Sequence, residues 1–312
     1  MNPSINNNLS PSSSFMKRFN AWAKERFPLV NIISGSLSYI TMISLGKFIA
    51  GKDFSQFSSL DILGATAFVG HLLLLRIFDE HKDYEIDKKN HPDRALSKGL
   101  INLKHLKLIA IPLPLIGLTW SLLHINNSNH VLILWVFLFI YSLLMAKEFF
   151  MGEWLSKKLA LYSISHMLVS PIMILWIIVG GSSELIASSL IYYVLAVSFT
   201  GGISYELTRK TRGKDEDMAL DSYNKSFGLK GSIAITSFFN IISLLLGFLI
   251  IQEISLDKTI SATLLVIGYI STIYPTYHFI KKPLEKSRKI NEGGVGIFLL
   301  GLYTSILAAL FV

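Results

Sequence analysis

The stretch Arg76-Ile77-Phe78-Asp79-Glu80-His81-Lys82-Asp83-Tyr84-Glu85-Ile86-Asp87 places aspartates at every fourth position. On a helix running through it, Asp79, Asp83 and Asp87 stack on one face, with Arg76 beside them and Glu80 within a turn of Asp83. Carboxylates about 6 Å apart repel by roughly 0.7 kcal/mol per pair in water, and several-fold more where the effective dielectric drops. A hard divalent cation relieves that repulsion, and Mg²⁺ characteristically takes one or two carboxylates together with phosphate oxygens. The plainer alternative is a solvated acidic face balanced by Lys82, Lys88 and Lys89.

A second charged stretch runs Tyr205-Glu206-Leu207-Thr208-Arg209-Lys210-Thr211-Arg212-Gly213-Lys214-Asp215-Glu216-Asp217-Met218-Ala219-Leu220-Asp221. Asp217 and Asp221 repeat the four-residue spacing, Asp215 is close by, and Arg209, Lys210 and Arg212 are interleaved with the acids. Acids for a metal beside bases for oxygen anions are what a metal–diphosphate site needs, Arg binding phosphate bidentately and Lys as a point charge. A loop of topology-setting cations with compensating acids would look similar.

These stretches are set between long apolar runs. Of the 312 residues, 51% are hydrophobic and 16% charged, and the mean hydropathy is +0.50. A soluble domain carries about a quarter charged residues, so the chain reads as an all-α membrane protein, since lipid offers no partner for unpaired backbone groups. Runs of about 20 apolar residues can cross a bilayer core. Nine occur, near 28–50, 59–78, 105–125, 130–147, 158–180, 185–203, 231–251, 259–280 and 294–312, the third expected to kink at Pro112 and Pro114. Residues 1–27, rich in Ser and Asn at their start, read as a disordered cytoplasmic tail, and 28–312 as a single membrane domain.

Lys and Arg set the orientation. Four precede the first run, and six lie in 79–104, three in 147–158, six in 203–230 and five in 281–290; the opposite loops hold only Lys52 and Lys258. The tail and both acidic stretches are therefore expected in the cytoplasm, with Val312 on the other side. This asymmetry explains the net charge of +8 without a nucleic-acid partner. The absence of cysteine excludes disulfides, thiolate metal sites and cysteine nucleophiles.

The first acidic stretch resembles the opening signature of the UbiA superfamily of intramembrane prenyltransferases. That signature is an Asn-Asp pair, two residues, Asp, three residues and Asp; here Asp79 replaces the Asn and Glu80 the first Asp, while Asp83 and Asp87 match. Asn90-His91-Pro92-Asp93-Arg94 and Ser97-Lys98-Gly99 follow the continuation of the pattern, and Tyr141 with Lys147 is similar to a weaker one. The second signature departs: Glu206 stands early, Thr208 and Thr211 fall where acids are expected, and the remaining acids gather at 215–221. Either Glu206 with Asp215 or Asp217 with Asp221 would complete a second metal set.

The resemblance implies a UbiA-like bundle around a central cavity and a magnesium-dependent transfer from an isoprenyl diphosphate donor to an aromatic or lipid-like acceptor. Metal ligands would come from Asp79, Glu80, Asp83, Asp87, Glu206, Asp215, Asp217 and Asp221. Arg76, Arg94, Lys98, Arg209, Lys210 and Arg212 would bind diphosphate, with Asp83, Asp87, Arg94 and Lys210 carrying catalysis. Ionisation of the donor leaves an allylic cation that aromatic faces can hold; Phe78, Trp135, Tyr141, Trp176 and Tyr274 are available, although packing is their ordinary role. His71, His166 and His278 are polar at membrane depth and equally open to either role. Competing expectations are a terpene cyclase, a transporter and a noncatalytic isoprenoid-binding relative.

Overall fold

The structure, a computed structural model, describes residues 9–216 and 222–312. Among these there is no strand, and nine helical spans are long and apolar enough to cross a membrane. Two compact units emerge: Met1–Tyr39 with Gln56–Phe150, and Ile40–Ser55 with Met151–Val312.

In the first unit, part of the stretch expected to be disordered is a helix, α1 (Phe15–Arg26), and its Trp22 is completely buried against Ile77, Ala95, Leu96, Leu100, Ile101 and Leu106. A 12-residue helix is marginal alone; burial of an indole, on the order of 200 Å² of surface, is what holds it. Arg18 adds a bond from Nη1 to the Leu100 carbonyl at 2.9 Å.

After α2 (Leu29–Ile49), whose first part belongs to this unit, α3 (Ser59–Lys82) starts at a capping box. There the Ser58 amide donates to Asp61 and the Asp61 amide to the Ser58 hydroxyl. A short α4 (Tyr84–Asn90) follows it. The third span is α5 (Leu103–Ala110) and α6 (Pro112–Leu123), divided at the expected proline, and α7 (Asn129–Ala146) is the fourth. His71 of α3 meets Ser142 of α7 at 2.9 Å inside the unit, so this histidine is satisfied by a neighbouring helix.

In the second unit, α8 (Gly152–Ser156) leads into α9 (Leu159–Met167) and α10 (Val169–Ser182), which form the fifth span. Gly46 at the end of α2 packs on α10 so closely that a Cβ would run into the Ile178 carbonyl. The remaining spans are α11 (Ser189–Lys210), α12 (Tyr223–Ile254), α13 (Thr259–Lys281) and α14 (Glu285–Ala309). Helix α11 ends, and α12 and α14 begin, well beyond the apolar runs, because the polar turns there are still helical. Gly228, at φ 65°, bends α12 where the charged first turns give way to the apolar part.

Candidate active site

The last polar turn of α3 carries the first acidic motif. A single helix through all three aspartates does not form: Asp83 (φ −94°, ψ 7°) ends α3 and bends the chain into α4. Hydrogen bonds from the Asp83 amide to the Asp79 carbonyl (2.9 Å) and from the Asp87 amide to the Asp83 carbonyl (2.8 Å) nevertheless keep the four-residue register.

Their surroundings differ. Asp79 is 44% exposed, with Lys82 at 3.5 Å and Arg76 at 3.9 Å, and Asp83 is half-buried. Asp87 is 20% exposed and takes both Arg26 Nη2 (3.1 Å) and Arg94 Nη1 on one oxygen, Oδ2. Glu80 is 2% exposed. Its Oε1 accepts from Arg26 Nε and from Arg76 Nη2 (2.7 Å) and Nε (3.2 Å), and its Oε2 from the Trp22 indole (3.4 Å). Both oxygens of Glu80 are thus committed within the protein.

The following loop closes the arrangement. Arg94 also faces Glu25 at 3.7 Å, and the Glu25 carboxylate accepts the Ala95 amide at 3.0 Å. Burial raises the Glu25 pKa above the ordinary glutamate value, against the lowering effect of that hydrogen bond and of Arg94 and Arg26. Burial likewise lowers the Arg94 value. Gly99 takes φ 71° as the loop turns back, and Lys98 pairs with Asp93 at 3.2 Å.

In the second unit, Glu206 is buried at the end of α11 and held by Arg209 Nη2 (2.7 Å) and Lys210 Nζ (2.9 Å). Lys210 also lies 4.6 Å from the centre of the Tyr162 ring. Thr208 and Thr211 are buried and bond back to the carbonyls of Ser204 and Leu207, so they serve the helix end. Asp215 accepts the Glu285 amide at 2.7 Å at the start of α14. Glu216 takes the Gly213 amide (2.6 Å), Arg288 Nε (2.8 Å) and, at 3.7 Å, Arg212. Glu206 and Asp215 are therefore separately engaged. Asp217 and Asp221 lie outside the described residues.

Among the described residues, no three histidine or acidic side chains converge closely enough to enclose a metal. In the first motif Asp79 is accessible, Asp83 is half-buried, and both guanidinium contacts of Asp87 fall on Oδ2; a hard cation takes one or two carboxylates together with phosphate oxygens. Of the aromatic candidates, Trp176 is fully buried, Trp135 is nearly so and stacks on Phe139, and Tyr274 is 69% exposed. Phe78 lines a cleft of about 510 Å³ with His81, Lys82, Leu143, Leu144 and Lys147.

Residues 45–290 match the UbiA prenyltransferase family. The chain belongs to that family. No curated protein sequence matches significantly. Solved structures show the same fold at low identity. A digeranylgeranylglyceryl phosphate synthase is 18% identical with a TM-score of 0.62, over 96% of this chain and 99% of its own. An apo UbiA homolog from Aeropyrum pernix K1 is 16% identical with a TM-score of 0.61, over 86% and 97%. A UbiA homolog from Archaeoglobus fulgidus bound to DMAPP and Mg²⁺ is 11% identical with a TM-score of 0.58, over 93% and 99%. The UbiA match covers both acidic stretches and stops before α14 is complete.

Arg26 and Glu25 lie ahead of the UbiA match, and sequence reasoning missed both. The available signal was the spacing of Phe15, Phe19, Trp22 and Ala23, one apolar face of a short helix.

Proposed function

We propose that this UbiA protein is a magnesium-dependent intramembrane prenyltransferase that moves a prenyl group from an isoprenyl diphosphate to an aromatic or lipid-like acceptor. The observation that carries the proposal is an intact four-residue aspartate register at the polar end of a membrane helix, within the family match. A relative of the same fold binds DMAPP and Mg²⁺, and Asp79, Asp83 and Asp87 are the residues of the first unit that would hold such an ion. When bound, Mg²⁺ supplies charge neutralisation of the diphosphate as its allylic C–O bond ionises.

The chain's own cations divide by exposure. Among the six cations expected to bind diphosphate, Lys98 at 32% and Arg209 at 46% are the most open, each on its own unit. Arg76 and Arg94 instead hold the acids in place. Lys210 and Arg212 are more buried, beside Glu206 and Glu216. The cleft behind Phe78 has the volume of a small-ligand pocket and an apolar wall, which suits a hydrophobic acceptor. The distribution of basic residues supports a cytoplasmic N-terminus and cytoplasmic acidic stretches, with Val312 opposite.

The test is purified protein with Mg²⁺, several prenyl diphosphates and a membrane lipid extract, followed by mass spectrometry and diphosphate assay. Prenylated acceptor and released diphosphate are expected, with Asp83→Ala reducing release at least about 100-fold, a typical loss for a group stabilising developing charge. Cyclised hydrocarbon without acceptor would instead identify a cyclase, and metal-dependent uptake without diphosphate release a transporter.

One observation favours a second reading. Glu206, Asp215 and Glu216 are all engaged by protein partners, as expected of a noncatalytic isoprenoid-binding relative. Donor binding without turnover under any acceptor would decide for it.

A further inference from the structure

Arg26 is the last residue of α1, and three contacts fix where its guanidinium sits. Trp22, one turn earlier, is fully buried in the apolar cluster. Arg18 bonds the Leu100 carbonyl at 2.9 Å, and Glu25 accepts the Ala95 amide at 3.0 Å. From that position the planar fork reaches two carboxylates, with Nε on Glu80 and Nη2 on Asp87 at 3.1 Å. A lysine ammonium has three donors on one nitrogen and lacks the two separated nitrogens in a fixed plane that meet Glu80 and Asp87 here.

The two acids are held differently. Glu80 has both oxygens engaged and is 2% exposed, so it serves as the buried anchor of Arg26. Asp87 has both guanidinium contacts on Oδ2, which turns Oδ1 away from them. A ligating carboxylate whose other oxygen is pinned by hydrogen bonds is oriented for its metal, and losing such outer partners typically lowers metal affinity about 10–100-fold.

We propose that Arg26 is a positioning residue for the first acidic motif: anchored on Glu80, it holds Asp87 by Oδ2 and presents Oδ1 to the divalent cation. The N-terminal helix is then a working part of the site. Glu80 leaves the set of metal ligands expected from sequence and becomes the partner of Arg26. The inference deepens the proposed function and rests on the site's being a metal site, yet its test needs no turnover.

The experiment measures Mn²⁺ affinity of the purified full-length chain by electron paramagnetic resonance of free Mn²⁺, with inorganic diphosphate present. Arg26→Gln is expected to weaken binding about 10–100-fold, and Asp87→Asn at least as much. Because Arg26 acts through Asp87, the double variant should bind no worse than Asp87→Asn alone. Arg26→Lys should restore little, and it also substitutes for Arg26→Gln if the latter does not fold. Unchanged affinity in either Arg26 variant overturns the inference, as does a double variant whose losses multiply, or a wild-type chain that binds no Mn²⁺. A chain that binds Mn²⁺ as described but never releases diphosphate from prenyl donors would leave this inference standing and remove the transferase reading.

Discussion

Arg26, Arg76 and Arg94 meet Glu25, Glu80 and Asp87 in a group of six charges largely withdrawn from water. Glu25 is the weakest partner: Arg94 is 3.7 Å away, and its Oε1 accepts no hydrogen bond. Its folded pKa is raised by burial, so the fold favours the protonated form. Stability linked to Glu25 is fully present below the ordinary glutamate value of about 4.3 and is lost as pH rises through the raised folded value. Glu25→Gln keeps an oxygen for the Ala95 amide and never ionises. Its thermal midpoint in detergent should exceed that of the wild type at pH 7.5, and the two should draw together toward pH 4. A lower midpoint for Glu25→Gln at pH 7.5 would show that the charge on Glu25 is a net stabiliser.

At the scale of the element, α1 and the loop around Gly99 depend on one another. Trp22→Ala leaves a cavity under both, for which about 3–5 kcal/mol is typical of a buried aromatic; Phe15→Ala, at 42% exposed, should cost well under half of that. Gly99→Ala tests conformation alone, since nothing lies within 4 Å of a Cβ there and only the φ of 71° resists. About 1–2 kcal/mol is expected. Gly46→Ala should be worse, because α2 and α10 must part to admit the methyl. Thermal midpoints of the four variants check the order. The nine spans were legible because apolar length is written locally, and the Pro112 break was legible for the same reason. Helical ends such as Glu285–Lys289 were not, since polar turns extend a helix without extending its apolar run. The register of Asp79, Asp83 and Asp87 could be read from spacing. The commitment of Glu80 to Arg26, or of Glu216 to Arg288, joins residues 54 and 72 apart, and no local pattern encodes such a partner.

For the whole molecule, the controlling quantity is the distribution of charge across nine spans. Moving Lys or Arg to the translocated side is costly enough that short, basic loops stay in the cytoplasm, and here the loops after the second, fourth, sixth and eighth spans are the basic ones. The connection from α12 to α13 has Lys258 as its one basic residue, and its Leu256 is 97% exposed. The chain has no cysteine, so a single introduced thiol reports its own side of the membrane without background. With Ser12→Cys and Leu256→Cys in intact cells, a membrane-impermeant maleimide should label Leu256→Cys at once and Ser12→Cys only after permeabilisation. Both variants should keep the diphosphate-release activity of the parent chain, which ties the labelled topology to the folded protein. The reverse pattern would put the acidic motifs on the outer side, where a cytoplasmic pool of prenyl diphosphate could not reach them, and the transferase reading would fail with it.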